Sequence, residues 1–253
     1  MKAEIEPFEN YFIAARDVEK EVMEGNPPLL SGLRRYHEFF VNHVFSETNA
    51  RSPFQGVLAM NAFMIYQSAI RVAMSGRGAA MFPLLRATLE ASCYAFLVGE
   101  SEDLRETWLK RNSTPEALKS SRKAFRSAVK DTAKRIQKKS WVAVNTESWI
   151  SQAYDAAIDF GAHPNPKGTW PYVRISEDHP DGYHRVSMAG IYEADSFETS
   201  RCLMACLDYG LLVALILSSC HDEPSEEVVN ALNQLNELKE DLTKTCFPNH
   251  IPT

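Results

Sequence analysis

The chain has 253 residues, 45% hydrophobic and 24% charged, ordinary values for a globular protein with enough chain to bury a sizeable core. Its formal net charge of −6 gives no global argument for nucleic acid. Five cysteines, an odd number and four of them in helical patterns, argue against a disulfide framework and for reduced thiols in a cytoplasmic compartment.

The N-terminal stretch MKAEIEPFEN is acidic and polar, unlike a secretory leader. Helical periodicity then dominates. A first helix is expected from Pro7 to Met23, stopped by EGNPP, and a second from Pro28 to Glu47. A third runs from Ser52, a capping residue ahead of Pro53, to Met74. After the turn at residues 75–78 comes an apolar helix, Phe82–Val98. Ser101 or Asp103 caps a short helix to Arg111. NSTPEAL is a start signal, with Thr114 as cap and Pro115 in the first position, for a helix read as continuous to Lys139. Another spans Thr146–Phe160 and stops at GAHPNPKG. Residues 170–192 change character, with Val173, Ile175 and Val186 flanking HPDG, and predict a small β-hairpin. Glu193–Cys220 forms a long apolar helix and Ser225–Lys244 a final amphipathic one.

Within the penultimate helix, Cys202–Cys220 is 19 residues long, just enough to span a bilayer. Asp208 sits inside it at a cost of about 2.5–3.5 kcal/mol if central, and neither flank is strongly basic. A buried helix of a soluble bundle is the favoured reading, with no membrane involved. The expected fold is all-α, a single-domain helical bundle over residues 1–253, with two central apolar helices and the hairpin as an insertion.

Two charges interrupt the first of those apolar helices. Arg86 and Glu90 are four apart on one face, in the less favourable order for an intrahelical pair, so at least one is expected to reach another helix. Asp208, Arg71, His163 and the tyrosines are the candidate partners. A buried polar network that sets helix register and an interior active or ligand site both fit. Further on, YDAAIDFGAHPNPKG carries Tyr154 and His163 near a helix end. His163 is suited to acid–base work near neutrality, and equally to capping the helix C-terminus.

The combination of LLRATLEA, an apolar helix, a basic helix and a tyrosine-bearing helix ending in His-Pro-Asn resembles a family of bacterial all-helical proteins grouped with the HEPN superfamily. The resemblance covers roughly residues 55–220 and rests on Arg86, Glu90, Tyr154 and His163. It implies a helical bundle, frequent dimerisation and, in some relatives, metal-independent RNA cleavage in toxin or phage-defence systems. Catalytic relatives carry an arginine and a histidine a few residues apart on one helix, and this chain has no arginine among residues 153–162. Arg174 and His179 have a similar spacing but fall at the hairpin turn.

From Lys119 to Lys139 the chain holds nine Lys/Arg and a single acid, Asp131, so the rest of the molecule carries −14. Leu118, Phe125, Val129 and Ile136 form the apolar stripe of that segment. Lys119, Arg122, Lys123, Arg126, Lys130 and Lys134 lie to one side of it, placed to contact phosphates or to stay solvated.

No metal or cofactor is expected. Glu177, Asp178, His179, Asp181 and His184 cluster in EDHPDGYH, which a turn rich in Asp and Gly explains. His37 and His43 are six apart, on different helix faces. Cys202 and Cys206 share a face but have no second pair to complete a zinc site, and read as core thiols.

Three functions follow as expectations. The first is a HEPN-like protein that binds or cleaves RNA without metal, in stress or phage defence, through Arg86, Glu90, Tyr154 and His163, with the basic segment as grip. The second is a non-enzymatic homodimer that binds a protein partner. The third is a small-molecule sensor with a cavity around Arg86.

Overall fold

The structure, a computed structural model, describes residues 7–46, 52–162, 166–176, 185–220 and 223–248. Among these residues, eleven α-helices and one hairpin follow in order. They are α1 (Phe8–Gly25), α2 (Pro28–Phe39), α3 (Pro53–Met74), α4 (Gly78–Glu100), α5 (Glu102–Leu109), α6 (Pro115–Ala124), α7 (Ala128–Ile136), α8 (Thr146–Ala157), α9 (Pro166–Thr169), α10 (Phe197–Ser218) and α11 (Glu226–Cys246). The hairpin pairs β1 (Val173–Ser176) with β2 (Arg185–Met188) antiparallel, Val173 opposite Met188. The fold is therefore all-α with a small β insertion. The hairpin tip with HPDG lies outside the described residues.

Several ends follow the sequence closely. Ser52 Oγ accepts the backbone N–H of Gln55 at 3.3 Å, Thr114 Oγ1 that of Ala117 at 3.1 Å, and Ser101 Oγ that of Leu104 at 3.3 Å. Each satisfies a donor that the first helical turn otherwise leaves unpaired. Other ends differ. α2 and α8 each loosen into a π-turn, at Phe40–Val44 and Ile158–Ala162, where a regular helix was expected to continue.

The larger correction concerns the basic segment, which is two helices. The chain leaves helical geometry at residues 125–127, with Phe125 at φ −103°, ψ 11° and Ser127 at φ −113°, ψ 25°. Ser127 donates its hydroxyl to the Asp131 carboxylate at 2.7 Å. Phe125 stacks on Tyr94 of α4 at 4.4 Å between centroids. Anchoring Phe125 there while Val129, Ala133 and Ile136 are buried is what the bend achieves.

The two helices expected to be central, α4 and α10, pack together, and α3 packs against both. One hydrophobic cluster runs through all three and out to α2, α7, α8 and α11. Gly210 lets Tyr66 and Tyr36 approach α10: a Cβ there would lie 2.7 Å from Tyr66 Cζ and 2.9 Å from Tyr36 Cδ1. Tyr66 donates to Cys206 O at 2.8 Å and Tyr36 to Leu235 O at 3.2 Å, so both buried hydroxyls are satisfied. At the turn into α4, Gly76 takes φ +71° and accepts the N–H of Tyr192 at 3.0 Å. Only glycine does this without strain.

By length and composition α3, α4 and α10 are all apolar enough to cross a membrane. Here 72% of the α10 window and 61% of the α4 window are buried inside the protein, against 44% for α3. The outer face of α3 leaves Val57 and Met64 largely exposed.

Candidate functional site

α4 is not apolar on every side. Arg86, Glu90 and Tyr94 recur every fourth residue along its one half-open face. Arg86 Nε donates to Glu90 Oε1 at 2.9 Å, and Tyr154 of α8 donates its hydroxyl to the same oxygen at 2.8 Å. Arg86 Nη2 then donates to Tyr154 Oη at 3.2 Å, closing a three-membered ring, with the guanidinium 5.4 Å from the centre of the tyrosine ring.

Two expectations are corrected. The Arg86 and Glu90 side chains are 30% and 35% exposed, so the pair sits at the rim of the core and not inside it. Their partner is Tyr154, one of the tyrosines considered, and neither Asp208 nor Arg71. Asp208 pairs with Lys239 at 3.4 Å and Arg71 with Glu19 at 3.0 Å. The intrahelical Arg86–Glu90 bond forms despite its unfavourable order because Tyr154 bridges both ends. His163 lies outside the described residues.

Partial burial alone lowers the affinity of Arg86 for its proton, but the hydrogen bond and charge of Glu90, with Tyr154, reverse this and hold the guanidinium charged. Burial raises the Tyr154 phenol, and the Glu90 carboxylate raises it further. Tyr154 is therefore a neutral donor that orients Glu90, and Glu90 in turn orients the guanidinium fork.

These residues line a half-open cleft of about 690 Å³. Its other wall is the bend of the basic segment, which contributes Arg122, Arg126 and Lys130, and Arg111 joins them. The structure thus unites Arg86, Glu90 and Tyr154 with three of the six basic residues that lie beside the apolar stripe. Lys119, Lys123 and Lys134 are exposed outside the cleft. None of the six, and not Arg111, forms an ion pair among the described residues, whereas Arg135 is drawn to Glu100 at 3.3 Å. Glu147 and Asp155 of α8 complete the lining, as does the stacked Tyr94–Phe125 pair.

Sequence reasoning missed Arg111, Glu147, Asp155 and Tyr94. A helical wheel of Thr146–Ala157 puts Glu147, Ser151, Tyr154 and Asp155 on one face, and that signal was available.

Among the described residues no group of three His, Cys, Asp or Glu side chains is placed to hold a metal, and the EDHPDGYH cluster lies outside them. Cys202 and Cys206 are buried. Burial pushes the Cys202 thiol up to about 11 and Cys206 well above the ordinary thiol value. Both fit inert core thiols.

The cleft thus combines five cationic side chains, Arg86, Arg111, Arg122, Arg126 and Lys130, with the carboxylates of Glu90, Glu147 and Asp155. Compared with known proteins, the chain matches no family model, no curated protein and no solved structure.

Proposed function

We propose that the protein is a HEPN-like RNA-binding protein that receives a phosphate-bearing strand in the cleft between α4, α8 and the bent α6–α7 segment. The carrying observation is the convergence of Arg86, Arg111, Arg122, Arg126 and Lys130 on one opening, four of them without a carboxylate partner among the described residues. In a chain of net charge −6, such a local concentration of cations is not a by-product of composition. Arg86 contacts phosphate with the guanidinium nitrogens that Glu90 and Tyr154 leave available. Arg122, Arg126 and Lys130 supply the electrostatic grip. Tyr94 and Phe125 offer ring surface beside it.

The test is binding of a fluorescein-labelled single-stranded RNA in EDTA, wild type against Arg122→Ala/Arg126→Ala. The reading expects saturable binding that weakens at least tenfold in the variant. Binding unchanged by the variant, or absent at low salt, overturns it. Run over time, the assay also reads metal-independent strand cleavage, which on this proposal requires Arg86 for the developing phosphorane charge and His163 for proton transfer. Cleavage that persists in His163→Ala removes that assignment.

A second reading, a dimeric interaction protein, is favoured by the exposed apolar side chains Val57 and Met64 on α3 and Phe8 and Phe12 on α1. Sedimentation of wild type against Val57→Asp/Met64→Asp tests it. A monomeric wild type ends that reading.

A further inference from the structure

On the face of α8 turned away from the basic cleft lies a second groove, of about 460 Å³, between α8, α10, α11 and the 141–146 turn. We propose that this groove is a binding site for a short uncharged peptide segment carrying an apolar side chain. The proposal does not depend on the RNA reading, because the two openings share no lining residue.

The floor is apolar, formed by Leu211 and Leu215 of α10 with Leu232 of α11, and Trp141 and Trp149 stand at its sides. Such a floor rewards an aliphatic side chain. The rim is made of carboxamides: Asn145 before α8, and Asn233 and Asn236 one turn apart on α11. None of the three makes a side-chain hydrogen bond among the described residues. Each offers one acceptor and a paired donor, the complement of a peptide unit's N–H and C=O.

Charge selects against ions. Among the described residues, the only charged ones lining the groove are Lys239 and Glu240, which pair with each other at 2.9 Å, and Asp208 holds Lys239 at 3.4 Å. The ammonium also lies 5.5 Å from the centre of the Trp149 ring. A charged ligand would therefore be desolvated without a free counter-charge. The dimensions suit a ligand of two or three residues.

The experiment follows the indole N–H resonances of the full-length protein while N-acetyl-leucyl-leucinamide is titrated in. The protein has four tryptophans, and two of them, Trp141 and Trp149, line the groove. The expected result is a saturable shift of those two signals with Trp108 and Trp170 unmoved. In Asn233→Leu/Asn236→Leu, a rim variant expected to fold normally, affinity should fall about tenfold through the loss of its hydrogen bonds. Zwitterionic leucyl-leucine should bind much more weakly. No shift of Trp141 or Trp149 up to the solubility limit overturns the site. Equal binding of the zwitterion overturns the charge argument, and a response to adenosine but not to the dipeptide amide overturns the ligand class. Arg122→Ala/Arg126→Ala should leave the titration unchanged, which separates this outcome from any failure of RNA binding.

Discussion

Tyr154 and Glu90 stand on different helices, and the 2.8 Å bond from the phenol to the carboxylate joins α8 to α4. Removing it leaves Glu90 and Arg86 bonded only to each other along α4, without the anchor that α8 supplies. Tyr154→Phe should therefore destabilise the fold by about 1 kcal/mol, the net worth of one such bond. RNA affinity should fall without the salt dependence changing. Denaturant unfolding and binding isotherms read the two effects separately.

The same phenol gives a pH dependence with a definite sign. Tyr154 holds its proton more tightly folded than unfolded, through burial and the Glu90 carboxylate. Its stabilising contribution is complete below the unfolded tyrosine value of about 10 and is lost as pH rises through the higher folded value. The stability gap between wild type and Tyr154→Phe should be constant from pH 7 to 9 and shrink above pH 10, as measured by urea unfolding at each pH.

Salt should report how many cleft cations meet phosphate. For a single strand, log K falls by about 0.7 per contact for each decade of salt, so four contacts give a slope of about −3. Lys130→Ala should flatten that slope by about 0.7, whereas Lys134→Ala, outside the cleft, should leave it unchanged. Binding between 50 and 300 mM KCl measures both.

Gly210→Ala places a methyl group against Tyr66 and Tyr36, neither of which can withdraw without breaking its hydrogen bond to a backbone carbonyl. A loss of about 1–3 kcal/mol is expected, seen as a lowered Tm. A neutral result would mean that the two rings are less tightly held against α10 than their geometry indicates.

Thiol chemistry should divide the cysteines. Cys93 is buried with its thiol pushed up to about 12, and Cys202 to about 11. Neither these nor Cys206 should react with iodoacetamide at pH 8 unless the protein is unfolded. Cys246, half-buried at the end of α11, should be labelled first. Mass spectrometry of native and urea-treated samples reads the pattern.

Much of this architecture is visible in the sequence because local chemistry decides it. Ser52, Ser101 and Thr114 cap where their hydroxyls precede a helix, and the apolar runs of α4 and α10 do end up against each other. Arg86, Glu90 and Tyr154 also stand out in the sequence, but their surroundings are not readable there. Pro83, Ala87 and Ala91 count as apolar on a helical wheel although they flank the open face of α4, so the helix looks buried all round. The bend at residues 125–127 carries no glycine or proline to announce it. It is set by the distant stacking of Phe125 on Tyr94, which no local pattern records. Arg111 enters the cleft from a turn between two short helices and was invisible for the same reason.

That bend has a consequence for the protein's electric field. A straight helix of the same composition would string its cations along a rod, each screened within about 8–10 Å and acting on its own stretch of solvent. Folded at Ser127, the rod becomes a corner whose two arms face the same hollow, backed by the low-dielectric core beneath Tyr94 and Phe125. Field lines from Arg122, Arg126 and Lys130 then converge in one volume, with Arg86 opposite. If the proposed phosphate-bearing strand enters there, their joint potential draws it in from beyond contact range, so the corner would govern how fast it arrives as well as how firmly it stays.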